Sequence, residues 1–171
     1  MNAARLRVLG LAGVAALLLI GPWLARPAPR LLLNTTASAP IGLYGVDQRP
    51  PRIGDLVVFQ PPPSLANWMA RRGYLPANVP LLKVLAATEG QRVCGRAGRV
   101  TIDGRFVAVA RRQDRLGRPL RPYEGCRRLA AGEIFLLNAD APASLDGRYF
   151  GPVSIARVIG RATPLWTATE R

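Results

Sequence analysis

Of the 24 basic residues in this 171-residue chain, Lys83 alone is lysine, and there is no histidine. Arginine keeps its proton in proteins, so the other basic positions can supply charge but cannot act as bases. Lys83 lies in the apolar run Leu81-Leu82-Lys83-Val84-Leu85-Ala86-Ala87, where an ammonium is poorly solvated. Desolvation pulls a lysine pKa down from about 10.4, by several units at full burial. Position 83 is therefore a candidate for a base that must be deprotonated, against the plainer account that drift toward arginine left one lysine behind.

The missing histidine excludes a serine-histidine-acid triad and any histidine-containing zinc site, and two cysteines are too few for a structural zinc. Leu82 precedes the lysine, so nothing matches a phosphate-binding glycine loop. No metal and no cofactor are expected. What remains is a serine activated by a neutral lysine. Ser64 precedes a helical stretch and reads as an N-cap, and Ser154 falls in a strand. Ser38, just before Ala39-Pro40, lies in a rigid turn among small residues that leave its hydroxyl accessible. It is the best candidate nucleophile, and on the residues alone an ordinary turn serine is an equal account.

The elements that must position these groups read as mainly β. Gly42-Leu43-Tyr44-Gly45-Val46 is a short strand, Leu56-Val57-Val58-Phe59 a buried one, and the run around Lys83 a third. Residues 133–137 and 153–159 are the last strong strands. Residues 64–73 form the one helix of the body, with Leu65, Trp68 and Met69 on one face and Ser64 as cap. Residues 92–128 differ in texture: arginine- and glycine-rich, with both cysteines and the Asp103-Gly104 signal of a hairpin across residues 100–107. They read as a subdomain inserted between core strands. The fold expected is an antiparallel β-barrel-like one with few helices.

Ahead of that body, residues 8–25 carry no charge and span about 27 Å as a helix, close to the hydrocarbon thickness. A retained membrane anchor is expected, with a cleaved signal as the alternative. Arg5 and Arg7 favour a cytoplasmic N-terminus, while Arg26 and Arg30 pull the other way. Cys94 and Cys126 are the only cysteines. With a membrane segment in front, a disulfide outside the cytoplasm is favoured over two free buried thiols. The expected order is a cytoplasmic N-terminus over 1–5, an anchor over 6–25, a juxtamembrane linker over 26–33, a catalytic domain over 34–165 with the insertion at 92–128, and a tail over 166–171.

Four stretches occur in order: Ser38-Ala39-Pro40-Ile41-Gly42-Leu43-Tyr44, Gly54-Asp55-Leu56-Val57-Val58-Phe59, Leu82-Lys83-Val84 and Ser144-Leu145-Asp146-Gly147-Arg148-Tyr149-Phe150-Gly151. The series resembles the boxes of the type I signal peptidase family of serine-lysine proteases, and looks closest to its TraF-like conjugative-transfer branch. The resemblance implies a signal-peptidase fold with Ser38 as nucleophile and Lys83 as general base. It implies that Thr36 and the Ser38 amide form the oxyanion hole, that Ser144 orients the lysine, and that Asp146 and Arg148 brace the site. The pair could otherwise be a surface ion pair of little worth. Ala39, Val84 and the stretch Asn138-Ala139-Asp140-Ala141-Pro142-Ala143 depart from the leader-peptidase pattern, which argues against a housekeeping secretion role. The implied substrate is a membrane-inserted precursor, pilin-like or signal-peptide-bearing, processed at the periplasmic face of the bacterial inner membrane by hydrolysis or cyclisation. No nucleic acid partner is expected. The rival is a non-catalytic, membrane-anchored β-domain of a secretion or conjugation apparatus that uses its net charge of +14 to hold DNA or lipid.

Overall fold

The computed structural model describes residues 3–25 and 30–168. Residues 1–2, 26–29 and 169–171, assigned from sequence to the N-terminus, linker and tail, lie outside them. Helix α1 runs Ala3–Ala25, and its described side chains, Arg5 and residues 7–19, are exposed. Among the described residues, no helix is long and apolar enough to cross a membrane. The structure gives the expected helix over this stretch.

The body begins with β1 (Leu31–Asn34), β2 (Gly42–Asp47), β3 (Leu56–Phe59), α2 (Pro63–Arg71) and β4 (Leu81–Ala87). Then come β5 (Arg92–Arg96), β6 (Arg99–Ile102), β7 (Arg105–Val109), β8 (Gly125–Arg128) and β9 (Glu133–Leu136). Short α3 (Gly147–Phe150), β10 (Val153–Ser154) and β11 (Val158–Thr167) complete it. All pairings are antiparallel, in two sheets: seven strands in the order β1-β2-β11-β3-β4-β9-β10, and four in the order β7-β6-β5-β8. The mainly β expectation holds; among the described residues no pairing joins β1 to β10, so the large sheet is open and not a closed barrel.

The insertion at residues 92–128 is the four-stranded sheet, folded as a unit between β4 and β9. Its Asp103-Gly104 turn has positive φ at both residues, 50° and 82°, with Ile102 opposite Arg105. That is the backbone a two-residue type I′ hairpin requires. Cys94 and Cys126 face each other across β5 and β8 and form a disulfide.

Strand periodicity joins the two sheets. Along β9, Phe135 packs with Leu137, Val93, Val100, Ile102, Ala108 and Leu129 under the inserted sheet. Its alternate neighbours Ile134 and Leu136 pack with Val57, Phe59, Met69, Leu81 and Leu85. Successive side chains on a strand point to opposite faces, so one apolar strand serves two cores. Helix α2 lays Met69, Leu65 and Trp68 on the second cluster, the face expected. Its start differs from expectation. Pro62 is the N-cap with no side-chain cap bond, Pro63 opens the helix, and Ser64 is exposed in the first turn. Proline's fixed φ suits the first helical position.

Residues 153–159 do not form one strand. Ser154 accepts from the Ala156 N–H and caps a 3₁₀ turn at Ile155–Arg157, which separates β10 from β11. Serine competes for nearby backbone donors in this way and interrupts a ladder. Strand β1 was not expected, because Leu31-Leu32-Leu33 fall in the stretch assigned to the juxtamembrane linker.

Candidate active site

Lys83 is the third residue of β4, opposite Val57 of β3. It has the same strand parity as Leu81 and Leu85, both in the apolar cluster with α2, so its side chain leaves the sheet beside that cluster. Lys83 is 2% exposed. Burial lowers its pKa to about 8; the nearby Asp146 carboxylate pulls it back up, and the Arg148 guanidinium pushes it down. Nζ donates to Ser144 Oγ at 2.9 Å.

Ser144 belongs to the loop between β9 and α3, and Arg148 shapes that loop from within. Its guanidinium donates to the carbonyls of Asn138 (3.1 Å), Ala141 (2.7 Å) and Ser144 (3.4 Å). It also donates to both carboxylate oxygens of Asp146, at 2.9 and 2.8 Å. Asp146 caps α3 by accepting from the Arg148 N–H, and it accepts from the Asn138 N–H at 3.1 Å. Both charges are essentially buried, 0% and 1% exposed, so the surface-pair alternative does not hold. Buried charges persist where every lone pair and proton has a partner. The loop also needs Gly147, since a Cβ there would lie 2.6 Å from the Leu136 carbonyl and 2.7 Å from the Phe135 ring.

Ser38 stands in the turn between β1 and β2, and buried Asn34 organises that turn. Asn34 Nδ2 donates to the carbonyls of Thr36, Ala39 and Pro40 at 2.9, 3.0 and 3.0 Å. Its Oδ1 accepts from the Thr36 N–H (3.2 Å) and hydroxyl (2.9 Å). Tyr44 clamps the far side by donating to the Pro40 carbonyl at 2.6 Å. Thr36 Oγ1 is 3.3 Å from Ser38 Oγ. Its one proton goes to Asn34, so it acts toward Ser38 as an acceptor. The Ser38 N–H has no hydrogen-bond partner among the described residues.

Thr36, Ser38, Lys83 and Ser144 line one cavity of about 680 Å³. Asp146 and Arg148 sit behind its wall, and Cys94 and Cys126 belong to the inserted sheet. Lys83 and Ser38 share no direct hydrogen bond among the described residues; Lys83 is bonded to Ser144. The far rim is a loop at residues 111–118. There Asp114 accepts from Tyr74 Oη at 2.6 Å and Arg118 Nε at 2.7 Å. Burial alone would raise the Asp114 carboxyl, but these bonds outweigh it and hold the group well below the usual carboxylate range.

Three parts of the site escaped the sequence reading: Asn34, Asn138 and the Tyr74-Asp114-Arg118 rim. The asparagines left one faint mark, each closing an apolar run that ends a strand. A buried amide has to find partners for its donors and acceptor, but nothing local shows which amides are buried.

Fold and site together define a mainly β protein whose one buried lysine shares a cavity with the hydroxyls of Thr36, Ser38 and Ser144. The pattern of the family "Signal peptidase, peptidase S26" matches residues 4–166, and the chain belongs to that family. It is 36% identical over 168 residues to the "Conjugal transfer protein TraF" of Agrobacterium fabrum, covering 91% of this chain and 93% of that protein. It is 33% identical over 159 residues to the "Plasmid transfer protein TraF" of Escherichia coli, covering 86% and 87%. Among solved structures, a signal peptidase I from Enterococcus faecalis V583 matches with a TM-score of 0.42 at 22% identity, over 68% of this chain and 100% of that one.

Proposed function

We propose that this chain is a membrane-anchored serine endopeptidase of conjugative transfer, with Ser38 as nucleophile and Lys83 as general base. One observation carries the proposal. The chain's single lysine is buried, its pKa is lowered to about 8, and it is held by Ser144 on the cavity wall that also bears Ser38. A neutral amine has two protons and one lone pair. Donating one proton to Ser144 leaves that lone pair free to accept from the Ser38 hydroxyl.

Lys83 takes the Ser38 proton as Oγ bonds to the scissile carbonyl carbon, and the carbonyl π pair moves onto oxygen. The Ser38 N–H stabilises the oxyanion, joined by Thr36 once its hydroxyl turns from Asn34. One such donor is worth about 10² to 10³ in rate. Protonated Lys83 then gives its proton to the leaving amine as the C–N bond breaks, leaving an ester on Ser38. Water, activated by Lys83, releases the product; a substrate's own amine attacking instead yields a cyclic peptide.

The substrate class is a membrane-inserted precursor, pilin-like or signal-peptide-bearing. The names of the relatives favour a role in conjugation over housekeeping secretion. Anchoring by α1 rests on the uncharged stretch at residues 8–25, with Arg5 and Arg7 placing the N-terminus in the cytoplasm and the body in the periplasm. The exposed side chains of Leu31, Leu33, Ile41, Leu165 and Trp166 give the body an apolar edge along β1, β2 and β11 that suits a bilayer surface. The test is co-expression with a pilin precursor from a conjugative system, read by mass spectrometry. The native chain is expected to shorten the precursor, with a product one water lighter than the linear form if it cyclises, and Ser38→Ala to leave it intact. Processing by Ser38→Ala would overturn the proposal.

A further inference from the structure

Where β9 ends, its last main-chain bond to β4 is the Leu137 N–H to the Val84 carbonyl, at 2.9 Å. The chain then turns away toward Ser144, and the ladder should stop. The side chain of Asn138, 6% exposed, continues it. Oδ1 accepts from the Val84 N–H at 2.9 Å, and Nδ2 donates to the Leu82 carbonyl at 3.2 Å. Those are the peptide groups on either side of Lys83. The second Nδ2 proton goes to the carbonyl of Ser38. The backbone of Asn138 is itself held, its N–H by Asp146 and its carbonyl by Arg148.

The network dictates which way the amide faces. Turned over, its oxygen would meet two carbonyls and its NH₂ would meet an N–H. In the observed sense both donors are used and the acceptor is engaged. One side chain thus ties the backbone of the nucleophile turn to the backbone of the lysine strand.

We propose that Asn138 is a positioning residue that sets the spacing and orientation of Ser38 relative to Lys83. The inference rests on the serine-lysine peptidase reading of the site. Asn138 touches neither Ser38 Oγ nor Lys83 Nζ among the described hydrogen bonds, so it acts through the two backbones. Fixing the Ser38 carbonyl also fixes the turn that presents the Ser38 N–H to the cavity. Misplacement of reacting groups by about 1 Å can cost about 10² in rate.

The experiment uses the full chain in detergent or membranes with a cleavable precursor, measuring kcat, KM, the pH dependence of kcat and the unfolding transition. Wild type must cut and Ser38→Ala must not; failure there sinks the peptidase reading itself, a result distinct from any outcome at Asn138. Asn138→Ala is expected to fold cooperatively and to lose about 10²-fold in kcat with KM little changed. The apparent pKa near 8 should persist, because no charge has moved. Asn138→Asp, equal in shape, sets a carboxylate oxygen against two carbonyls. It is expected to lose more, and to raise the apparent pKa because its charge favours the ammonium. Folded variants that both keep kcat within about threefold of wild type would overturn the proposal. So would two variants that fail to fold, since Asn138 would then serve the fold and not the spacing.

Discussion

In the seven-stranded sheet and its loops the polar side chains turn inward: Asn34, Lys83, Asn138, Ser144, Asp146 and Arg148 are all buried. In the inserted four-stranded sheet they turn outward. Arg92, Arg96, Arg99, Arg105, Arg127 and Arg128 are exposed, and the inner face is apolar, built on Val93, Val100, Ile102 and Ala108. The insertion is held by apolar burial and a disulfide, which tolerate exchange of surface charge. In the site region each buried polar group is another's partner, so removing one leaves the next unsatisfied in a dry setting. The same arginine does opposite work in the two places: solvated charge in one, an internal strut in Arg148.

The largest effect is expected from the buried ion pair of Asp146 and Arg148. Asp146→Ala leaves the Arg148 guanidinium buried and uncompensated, and should cost about 3–5 kcal/mol in denaturant unfolding and abolish processing. A stable, active Asp146→Ala would break the comparison. Replacing both Cys94 and Cys126 by serine opens a loop of sequence separation 32, a loss of about 3–4 kcal/mol in the chain-entropy account. Activity per folded molecule should survive, and its loss would mean that the insertion shapes the cavity more directly than this division allows.

The pH dependence tests the site alone. With Lys83 at about 8, processing should rise by about tenfold from pH 7 to 9 as the lysine becomes neutral. Stability moves the same way. The folded pKa lies below the unfolded value of 10.5, so the unfolded chain binds more protons between the two. The destabilisation from burying the ammonium, complete below about 8, fades as pH rises toward 10.5. A rate profile flat from pH 7 to 9 would remove Lys83 as the titrating base. The smallest effect is expected at Glu133, whose carboxylate takes a bidentate contact from exposed Arg127. That contact holds Glu133 at about 2, yet Glu133→Gln should cost only about 0–1 kcal/mol and leave processing unchanged. Any support it adds is present above the ordinary glutamate range and fades as pH falls toward 2.

What could be read from sequence depended on the range of each signal. The Asp103-Gly104 hairpin and the strands at residues 56–59 and 81–87 rest on local backbone preference and periodicity, and they formed where read. Lys83 stood out by composition alone, because every other basic position tolerates a residue that cannot deprotonate. Ser38 was the best candidate serine by its turn and small neighbours, and the order of the boxes raised it above an ordinary turn serine; Ser144, Asp146 and Arg148 were legible only through that resemblance. Asn34 and Asn138 were not legible, since their importance comes from which distant strands meet around them. The open edge of the sheet and the break at Ser154 went unseen for the same reason: register and capping depend on partners far away in the chain.

The central claim is that position 83 must lose a proton. Lys83→Arg, in a chain shown to fold with its disulfide intact, keeps the charge and removes the base. The expected result is an unprocessed precursor across pH 7 to 9 at protein levels equal to wild type. Processing at a wild-type rate by Lys83→Arg would contradict the account, since arginine cannot take the Ser38 proton.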